Sequence, residues 1–206
     1  MVGRRQFDEN RTLECAREVF WLKGYGATSM QDIATATGVL RGSLYNAYRD
    51  KETLFLRVFE DFADQSLADT AQALAHPIID HALHDFFDRA ITSMTTGSPT
   101  RGCLPTKTAI DSKADGERIN AALRDHLDNT ERLLRERLST DEARPRLAIP
   151  PAETARVLIT MTRGIVVMER VYQDPERLRA TAASLIDALL SPEPGAGDPR
   201  GRRPAR

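Results

Sequence analysis

The most informative stretch of the chain is residues 28–52, which read T-S-M-Q-D-I-A-T-A-T-G-V-L-R-G-S-L-Y-N-A-Y-R-D-K-E. The pattern predicts two short helices joined by a tight turn at Gly38, because glycine ends a helix in a left-handed conformation without strain. Thr28 is predicted to cap the first helix, with Gln31 completing a capping box. The second helix is predicted from about Arg41 to Tyr48. This helix-turn-helix geometry is the one that places a helix in the major groove of DNA.

The flanking residues indicate a packed unit that keeps one polar face exposed. Leu44 is predicted to face inward, whereas Arg41 and Tyr45 remain available for another surface. Asp50 is predicted to cap the helix that follows, which begins at Lys51. For a pattern of this length, the alternative is a generic helical hairpin with a solvated polar face.

The chain carries G-V-L-R-G-S-L-Y-N-A-Y-R-D-K-E-T-L-F at residues 38–55, which resembles the signature of TetR-family transcriptional regulators. The resemblance includes A-R-E-V-F-W-L-K-G-Y-G-A-T-S-M at residues 16–30 and covers about residues 8–60. Beyond residue 60, the chain resembles the family only in its organisation. The family implies an all-α fold, in which an N-terminal three-helix helix-turn-helix DNA-binding domain precedes a helical ligand-binding and dimerisation domain. Leu40 departs from the pattern, because the family usually has a hydroxyl cap there, and this loss is expected to cost about 1 kcal/mol.

We expect the chain to divide into three parts. Residues 1–50 are predicted to form an N-terminal arm and the DNA-binding domain, residues 51–190 the helical effector-binding and dimerisation domain, and residues 191–206 a disordered tail without apolar periodicity. The helices predicted after the DNA-binding domain are Lys51 to about Ala75, Ile78 to about Thr96, Cys103 to about Lys113, Gly116 to about Leu138, Ala152 to about Gln173 and Glu176 to about Leu190.

Composition fits a soluble globular protein, and the family resemblance implies a bacterial cytoplasm. The 206 residues are 41% hydrophobic, and no apolar run approaches the ~18 residues that a membrane helix needs. Polar residues follow Arg4 and Arg5, so no secretory signal is recognised. Cys15 and Cys103 provide neither a disulfide framework nor zinc-ligand spacing. We therefore expect a cytoplasmic protein that does not associate with membranes.

Catalytic and cofactor motifs are not found. The sequence has no phosphate-binding glycine loop, no nucleophile elbow and no H-E-x-x-H metal motif, so we expect neither an enzyme nor a cofactor. His81 and His84 lie near Asp80, Asp85 and Asp88, but this spacing matches no strong ligand pattern. We interpret this group as a solvated polar face and predict no metal site.

Under the resemblance, the second helix of the motif enters the major groove. Arg41 can donate to guanine O6 and N7, which specifies sequence, whereas hydroxyl groups that reach phosphates fix position. Lys51 and Thr28 are expected to meet phosphates, and Gly42 allows close approach of the backbone. Tyr48 is alternatively a core residue. The net charge of -1 does not exclude DNA binding, because phosphates respond to charge within ~8–10 Å. The predicted DNA contacts are Thr28, Arg41, Gly42, Ser43, Tyr45, Asn46, Tyr48 and Lys51.

The last two helices are predicted to form the surface of a homodimer. The family implies a two-fold four-helix contact, which would place two recognition helices about 34–36 Å apart on successive major grooves. The alternative is that these apolar stripes are core within one protomer. The predicted dimer residues are Val157, Gly164, Ile165, Met168, Leu178, Ala182, Leu185, Ile186 and Leu189.

Relatives enclose a small-molecule cavity between the DNA-binding domain and the dimer helices. An apolar or aromatic effector fits the Phe and Met content of this region, although a plain packed core explains it equally. The predicted effector-binding residues are Phe62, Phe86, Ala90, Met94, Cys103, Leu123, Leu127 and Met161.

The function predicted from these patterns is a ligand-responsive repressor, released from a palindromic operator by a small-molecule effector. Cys103 supports an alternative, a redox- or electrophile-sensing repressor, because a helix N-terminus and a nearby guanidinium such as that of Arg101 both favour a thiolate. The remaining interpretation of Cys103 is an inert packing residue. A constitutive architectural DNA binder is a second alternative, and it would show no effector response and little sequence preference.

Overall fold

The computed structural model describes residues 7–97, 100–111, 114 and 116–191. This part of the chain contains nine α-helices, a 3-10 turn at Arg144–Arg146 and one isolated antiparallel bridge between Leu147 and Leu190, which confirms the predicted all-α fold. The predicted tail at residues 192–206 and the start of the predicted arm, with Arg4 and Arg5, lie outside the described residues. The helices are α1 Glu9–Lys23, α2 Met30–Thr37, α3 Arg41–Tyr48, α4 Lys51–Leu74, α5 Ile79–Thr95, α6 Leu104–Ala109, α7 Glu117–Leu138, α8 Pro151–Tyr172 and α9 Pro175–Leu189.

The N-terminal cap of α2 differs from the prediction by one residue. Ser29, not Thr28, is the cap, and Asp32, not Gln31, completes the capping box. The Ser29 hydroxyl accepts from the Asp32 amide at 3.1 Å, and the Asp32 carboxylate accepts from the Ser29 amide at 2.8 Å. Thr28 cannot cap the helix, because its buried hydroxyl donates back to the carbonyl oxygen of Gly24 at 2.7 Å.

The turns on either side of α3 agree with the sequence. Gly38 ends α2 in the left-handed region with φ of 69°, as predicted. Leu40 precedes α3 without any side-chain cap, which confirms that the recognition helix lacks this hydrogen bond. Asp50 caps α4 through a 2.7 Å hydrogen bond from the Thr53 amide. Between these helices Arg49 adopts φ of 67°, an unusual value for a residue with a side chain.

The N-terminal cluster is an apolar core that α1, α2 and α3 share with the first half of α4. Its centre is aromatic, with Phe20 and Phe55 in an edge-to-face contact at 5.1 Å between ring centroids. Leu104 from α6 and Ile119 from α7 are buried in the same cluster. The predicted domain boundary at residue 50 therefore falls just before a helix whose first half packs with the DNA-binding unit.

The C-terminal cluster is formed mainly by α5, α8 and α9, together with the ends of α4 and α7. This core corrects part of the predicted dimer surface, because α9 turns its regular leucine and isoleucine stripe toward α5. Leu185 is half-buried against the same core. The predicted dimer residues that are buried inside the protomer, and so cannot face a partner, are Ile165, Leu178, Ala182, Ile186 and Leu189.

Most predicted helix ends lie within one or two residues of the observed ones, but α6 is shorter than predicted. It ends at Ala109 rather than near Lys113, because the chain turns there and the Asp111 amide donates to the Thr108 carbonyl oxygen at 3.2 Å. The Asp111 carboxylate then accepts from the amide of Gly26, between α1 and α2, at 2.5 Å. This contact holds the end of α6 against the DNA-binding unit.

Candidate DNA-binding surface and effector cavity

The exposed face of α3 carries most of the predicted DNA contacts. Arg41, Gly42, Tyr45 and Asn46 are exposed, and Ser43 is half-buried. The guanidinium of Arg41 lies over the ring of Tyr45 at 5.4 Å and within 3.5 Å of its hydroxyl, so the two side chains form one polar ridge. A Cβ added at Gly42 would meet no atom within 4 Å, so this position leaves room for another molecule near the backbone. These five residues form one continuous candidate contact surface.

Two predicted DNA contacts are not on this surface. Thr28 is buried at 3% exposure and Tyr48 at 4%, and Tyr48 packs against the ring of Phe7 at 6.4 Å. The alternative of a core residue beneath the motif is therefore correct for Tyr48. Leu40 was not among the predicted contacts, but it is 78% exposed at the start of the recognition helix.

Lys51 forms internal contacts that the sequence did not reveal. Its ammonium donates to the carbonyl oxygens of Tyr25 at 2.8 Å and Thr28 at 3.0 Å, and it lies 4.2 Å from the centroid of the Tyr25 ring. Lys51 thereby connects the start of α4 to the turn between α1 and α2. A phosphate contact of Lys51 stays a prediction. Its hydrogen bonds to Tyr25 and Thr28 give this side chain a structural role.

A cavity of about 290 Å³ lies between the DNA-binding unit and the C-terminal cluster. Five predicted effector residues line it: Phe62, Phe86, Ala90, Met94 and Cys103. The other three predictions are corrected, because Leu123 is buried in the N-terminal cluster while Leu127 and Met161 pack against the C-terminal cluster.

Polar side chains also line this cavity, and the sequence analysis did not include them. Arg17, Arg163 and His126 contribute to its wall beside the indole of Trp21. His126 was recognisable in part, because Leu123, His126 and Thr130 recur at helical spacing on the buried face of α7. A polar residue within an apolar stripe can indicate a polar group in the wall of a cavity. The sequence around Arg17 and Arg163 gives no such indication.

Cys103 lies beside a cation within this cavity. Its sulfur is 3.4 Å from Nη1 of Arg163, whose other contacts are with the hydroxyl groups of Thr162 and Thr106. The predicted cationic neighbour Arg101 instead forms an ion pair with Glu18 at 3.2 Å. The thiol is thus accessible to a cavity ligand and is close to a positive charge supplied by α8.

One face of α8 exposes apolar residues at intervals of three, four and seven residues. Val157, Gly164 and Met168, three of the predicted dimer residues, belong to it. On α9, the exposed residues at four-residue spacing are small. The exposed residues of these two faces are Val157, Gly164, Val167, Met168, Val171 and Tyr172 on α8, and Ala180, Ser184 and Ala188 on α9.

The histidines of α5 show no metal-binding arrangement. His84 lies 3.8 Å from Asp80, and the His81 ring contacts the ring of His76. Across the described residues, no group of three or more His, Cys, Asp or Glu side chains is placed to hold a metal ion. Within the same part of the chain, no helix is both long and apolar enough to cross a membrane.

Two family models match the chain. The model described as bacterial regulatory proteins, tetR family, matches residues 13–58, and the model described as tetracyclin repressor-like, C-terminal domain, matches residues 81–185. The chain is 27% identical over 186 residues to the HTH-type transcriptional repressor ComR of Escherichia coli strain K12, covering 87% of this chain and 88% of ComR. The two matched segments contain the recognition helix and the cavity-lining residues outside α4.

Solved structures agree with these matches. The TetR family transcriptional regulator CifR, complexed with 26bp double-strand operator DNA, superposes with a TM-score of 0.80 at 26% identity, covering 90% of this chain and 98% of CifR. The reduced form of NemR from E. coli shares the fold at 15% identity, with a TM-score of 0.79 over 88% of this chain and 96% of NemR. The protein is therefore a member of the tetR family of bacterial transcriptional regulators.

Proposed function

We propose that the protein is a homodimeric repressor that a small-molecule effector releases from a palindromic operator. The observation that carries this proposal is the path of α4. Its first half is buried with the recognition unit, through Phe55 and Phe59, and its second half lines the cavity, through Phe62 and Ala73. A single helix thus connects the DNA-binding surface to the ligand site.

Arg41 is the side chain that we assign to direct recognition of bases. It is exposed in the first turn of α3, and a guanidinium can donate two hydrogen bonds to guanine O6 and N7. Gly42, Ser43, Tyr45 and Asn46 share its face and are assigned to close backbone approach and to phosphate or base contacts. Leu40 extends the same face with an apolar group, which suits contact with a thymine methyl.

A second copy of the chain is the proposed occupant of the exposed face of α8. The face is apolar in Val157, Val167 and Val171, and the adjacent exposed residues of α9 are small, so two such helix pairs can approach closely. A two-fold axis there would present two recognition helices to successive major grooves. CifR, which shares the fold, is complexed with operator DNA, which supports a double-stranded operator as the partner of this chain.

Effector binding would weaken DNA binding by favouring a different position of α4. Ligand that fills the cavity contacts α4 through Phe62, and a change in the tilt of this helix would alter the distance between the two recognition helices. Linkage requires the effector to bind more tightly to the DNA-incompetent state, with a coupling free energy of typically ~1–3 kcal/mol. A DNA-bound regulator of this kind acts in the bacterial cytoplasm, and we assign it no catalytic activity.

The test begins with selection of the operator from random DNA by the full-length protein. We expect a palindromic sequence, occupied by a dimer and bound at least about a thousandfold more tightly than random DNA. A metabolite panel should then contain a compound that lowers operator affinity. Equal affinity for operator and random DNA would contradict the proposal and would support an architectural binder. Selective binding that no compound alters would contradict the effector mechanism.

The environment of Cys103 supports a second candidate, a repressor that responds to electrophiles or oxidants. Its sulfur lines the cavity and lies 3.4 Å from the Arg163 guanidinium, so a ligand in the cavity can reach it. Under this candidate, an alkylating agent should release the operator from the unmodified protein and from a Cys15→Ser control. A Cys103→Ser variant should remain bound. Release of the operator from the Cys103→Ser variant would exclude the thiol mechanism.

A further inference from the structure

The cavity wall carries an excess of positive charge. Four arginines line it, and Asp69 is the sole carboxylate among its described lining residues. Asp69 accepts from the side-chain amide of Gln65 at 3.0 Å on the same helix. The four arginines come from α1, α5, the segment before α6, and α8: Arg17, Arg89, Arg101 and Arg163.

Two of these arginines are partly buried and have no acidic partner among the described residues. Arg101 is paired with Glu18, and Arg89 is exposed to solvent. For Arg17 and Arg163, no ion pair with any described carboxylate is found within 4.0 Å. Among the described residues, the hydrogen bonds of Arg163 are to the hydroxyl groups of Thr162 and Thr106 and to the sulfur of Cys103. A partly buried guanidinium without a counterion is unfavourable, so this end of the cavity favours an anion.

Unsatisfied polar atoms occur in the same wall. The Nε of Arg17 and the Nδ1 of His126 are buried and have no hydrogen-bond partner among the described residues. His126 is only 5% exposed. Burial, reinforced by the charge of Arg163, lowers the pKa of His126 to about 4, so the ring is neutral near pH 7 and its Nδ1 can carry a proton to donate. Buried polar atoms normally have partners, and a bound ligand would supply them here.

The remaining wall is apolar and aromatic. The indole of Trp21 and the ring of Phe62 meet edge to face at 5.5 Å, and Phe86 and Met94 also line the cavity. The volume of about 290 Å³ lies just below the range of about 300–1,000 Å³ that is usual for ligand pockets. These features fit a ligand with one small apolar group.

We infer that the effector is a small organic acid, in which Arg17, Arg163 and His126 bind the carboxylate and the aromatic wall binds an apolar body. A carboxylate matches the planar donor fork of a guanidinium and can accept from more than one donor. This inference rests on the proposed function only in calling the acid an effector. The binding of the acid can be measured without DNA.

The experiment compares acids with neutral amides of nearly equal shape. Phenylacetate and octanoate are titrated into the full-length protein without DNA, beside phenylacetamide and octanamide. Binding is followed by calorimetry and by the emission of Trp21, the only tryptophan of the chain. We expect at least one acid to bind about tenfold or more tightly than its amide. If neither acid binds more tightly than its amide, the inference is wrong.

Variants then identify the groups that bind the anion. Arg163→Met and Arg17→Met should each reduce the preference for acid over amide, whereas Arg156→Met, on the exposed surface of α8, should retain it. Circular dichroism checks that each variant is folded. An acid preference that survives both cavity variants would overturn the assigned site. An acid that binds at this site without changing operator affinity would contradict the proposed function and leave the ligand class intact.

Discussion

The indole Nε1 of Trp21 donates a buried hydrogen bond of 3.0 Å to the carbonyl oxygen of Gly102, 81 residues further along the chain. Lys107 strengthens the connection, because its ammonium donates to the carbonyl oxygen of Trp21 at 2.8 Å. The Trp21 ring also contacts Phe62 and lines the cavity. One side chain therefore connects the last turn of α1, the ligand site and the segment that precedes α6. A ligand that displaces this segment would act directly on the DNA-binding unit.

Replacing Trp21 by phenylalanine should lower the free energy of unfolding by about 2 kcal/mol. The variant retains a ring but leaves the buried carbonyl oxygen of Gly102 without its donor, and such a loss costs roughly 1–3 kcal/mol. Urea unfolding followed by circular dichroism measures the change. Leu22→Ala is the control, because Leu22 is 57% exposed and should change stability by no more than about 0.5 kcal/mol. Equal stability of both variants would contradict a structural role for this bond.

Arg41→Ala should weaken operator binding by about 1–3 kcal/mol and relax the preference for one base pair in each half-site. The reason is that the exposed guanidinium at the start of α3 is the group assigned to guanine. Fluorescence anisotropy with operator and with single-base variants measures both effects. Arg156→Ala removes an exposed arginine from α8 and should leave operator affinity unchanged. A uniform loss on all sequences would instead identify Arg41 as a phosphate contact.

Lys51→Gln should destabilise the DNA-binding unit in the absence of DNA. The ammonium of Lys51 satisfies the carbonyl oxygens of Tyr25 and Thr28, and the loss of these charged hydrogen bonds is expected to cost roughly 1–3 kcal/mol. The free energy of unfolding in urea is the measurement. Arg57→Gln removes only exposed ion pairs on the same helix and should cost less than about 1 kcal/mol. If Lys51→Gln affects DNA affinity alone, the side chain serves phosphate binding rather than structure.

The folded protein should lose stability as the pH falls through the range from 6.5 to about 4, because of His126. Burial and the nearby charge of Arg163 lower the pKa of this histidine from 6.5 to about 4. The unfolded chain therefore binds a proton in this range that the folded chain does not, so the stabilisation is complete above pH 6.5 and decreases below it. At about pH 5 the expected loss is about 2 kcal/mol relative to about pH 7.5.

The His126→Gln variant isolates this contribution. Between about pH 7.5 and about pH 5, its free energy of unfolding should fall by about 2 kcal/mol less than that of the unmodified protein. His84→Gln replaces an exposed histidine on α5 and should retain the full pH dependence. Identical pH profiles for the His126→Gln variant and the unmodified protein would show that His126 titrates normally.

Val171→Glu should convert the protein to a monomer. Val171 is 66% exposed within the protomer, so the substitution leaves the fold intact but places a charge in the proposed two-fold contact of α8. Sedimentation velocity measures the oligomeric state, and operator titration should show weaker binding because only one half-site is engaged at a time. Ile110→Glu is the control, because Ile110 is an exposed apolar residue near α6. A dimer that survives Val171→Glu and dissociates with Ile110→Glu would place the interface elsewhere.

Most of the local structure of the chain could be predicted from its sequence. The bounds of α3, the left-handed turn at Gly38, the missing cap at Leu40 and the cap at Asp50 were all predicted and are all observed. These features depend on hydrogen bonds and conformational preferences within a few residues, which the order of residue types specifies. The cap of α2 was misplaced by one residue, because Ser29 and Thr28 are both good caps and only the tertiary bond of Thr28 to Gly24 distinguishes them.

By itself, the sequence determined the helical periodicity, the recognition helix and the family resemblance. Only the tertiary structure decided which apolar stripe of α8 faces inward, since the buried and the exposed face of this helix both carry apolar residues at helical spacing. It also decided that Arg17, Arg163 and His126, which are distant in sequence, line one cavity. The physical reason is that burial and charge at a site depend on every helix packed around it, whereas helix formation depends mainly on near neighbours.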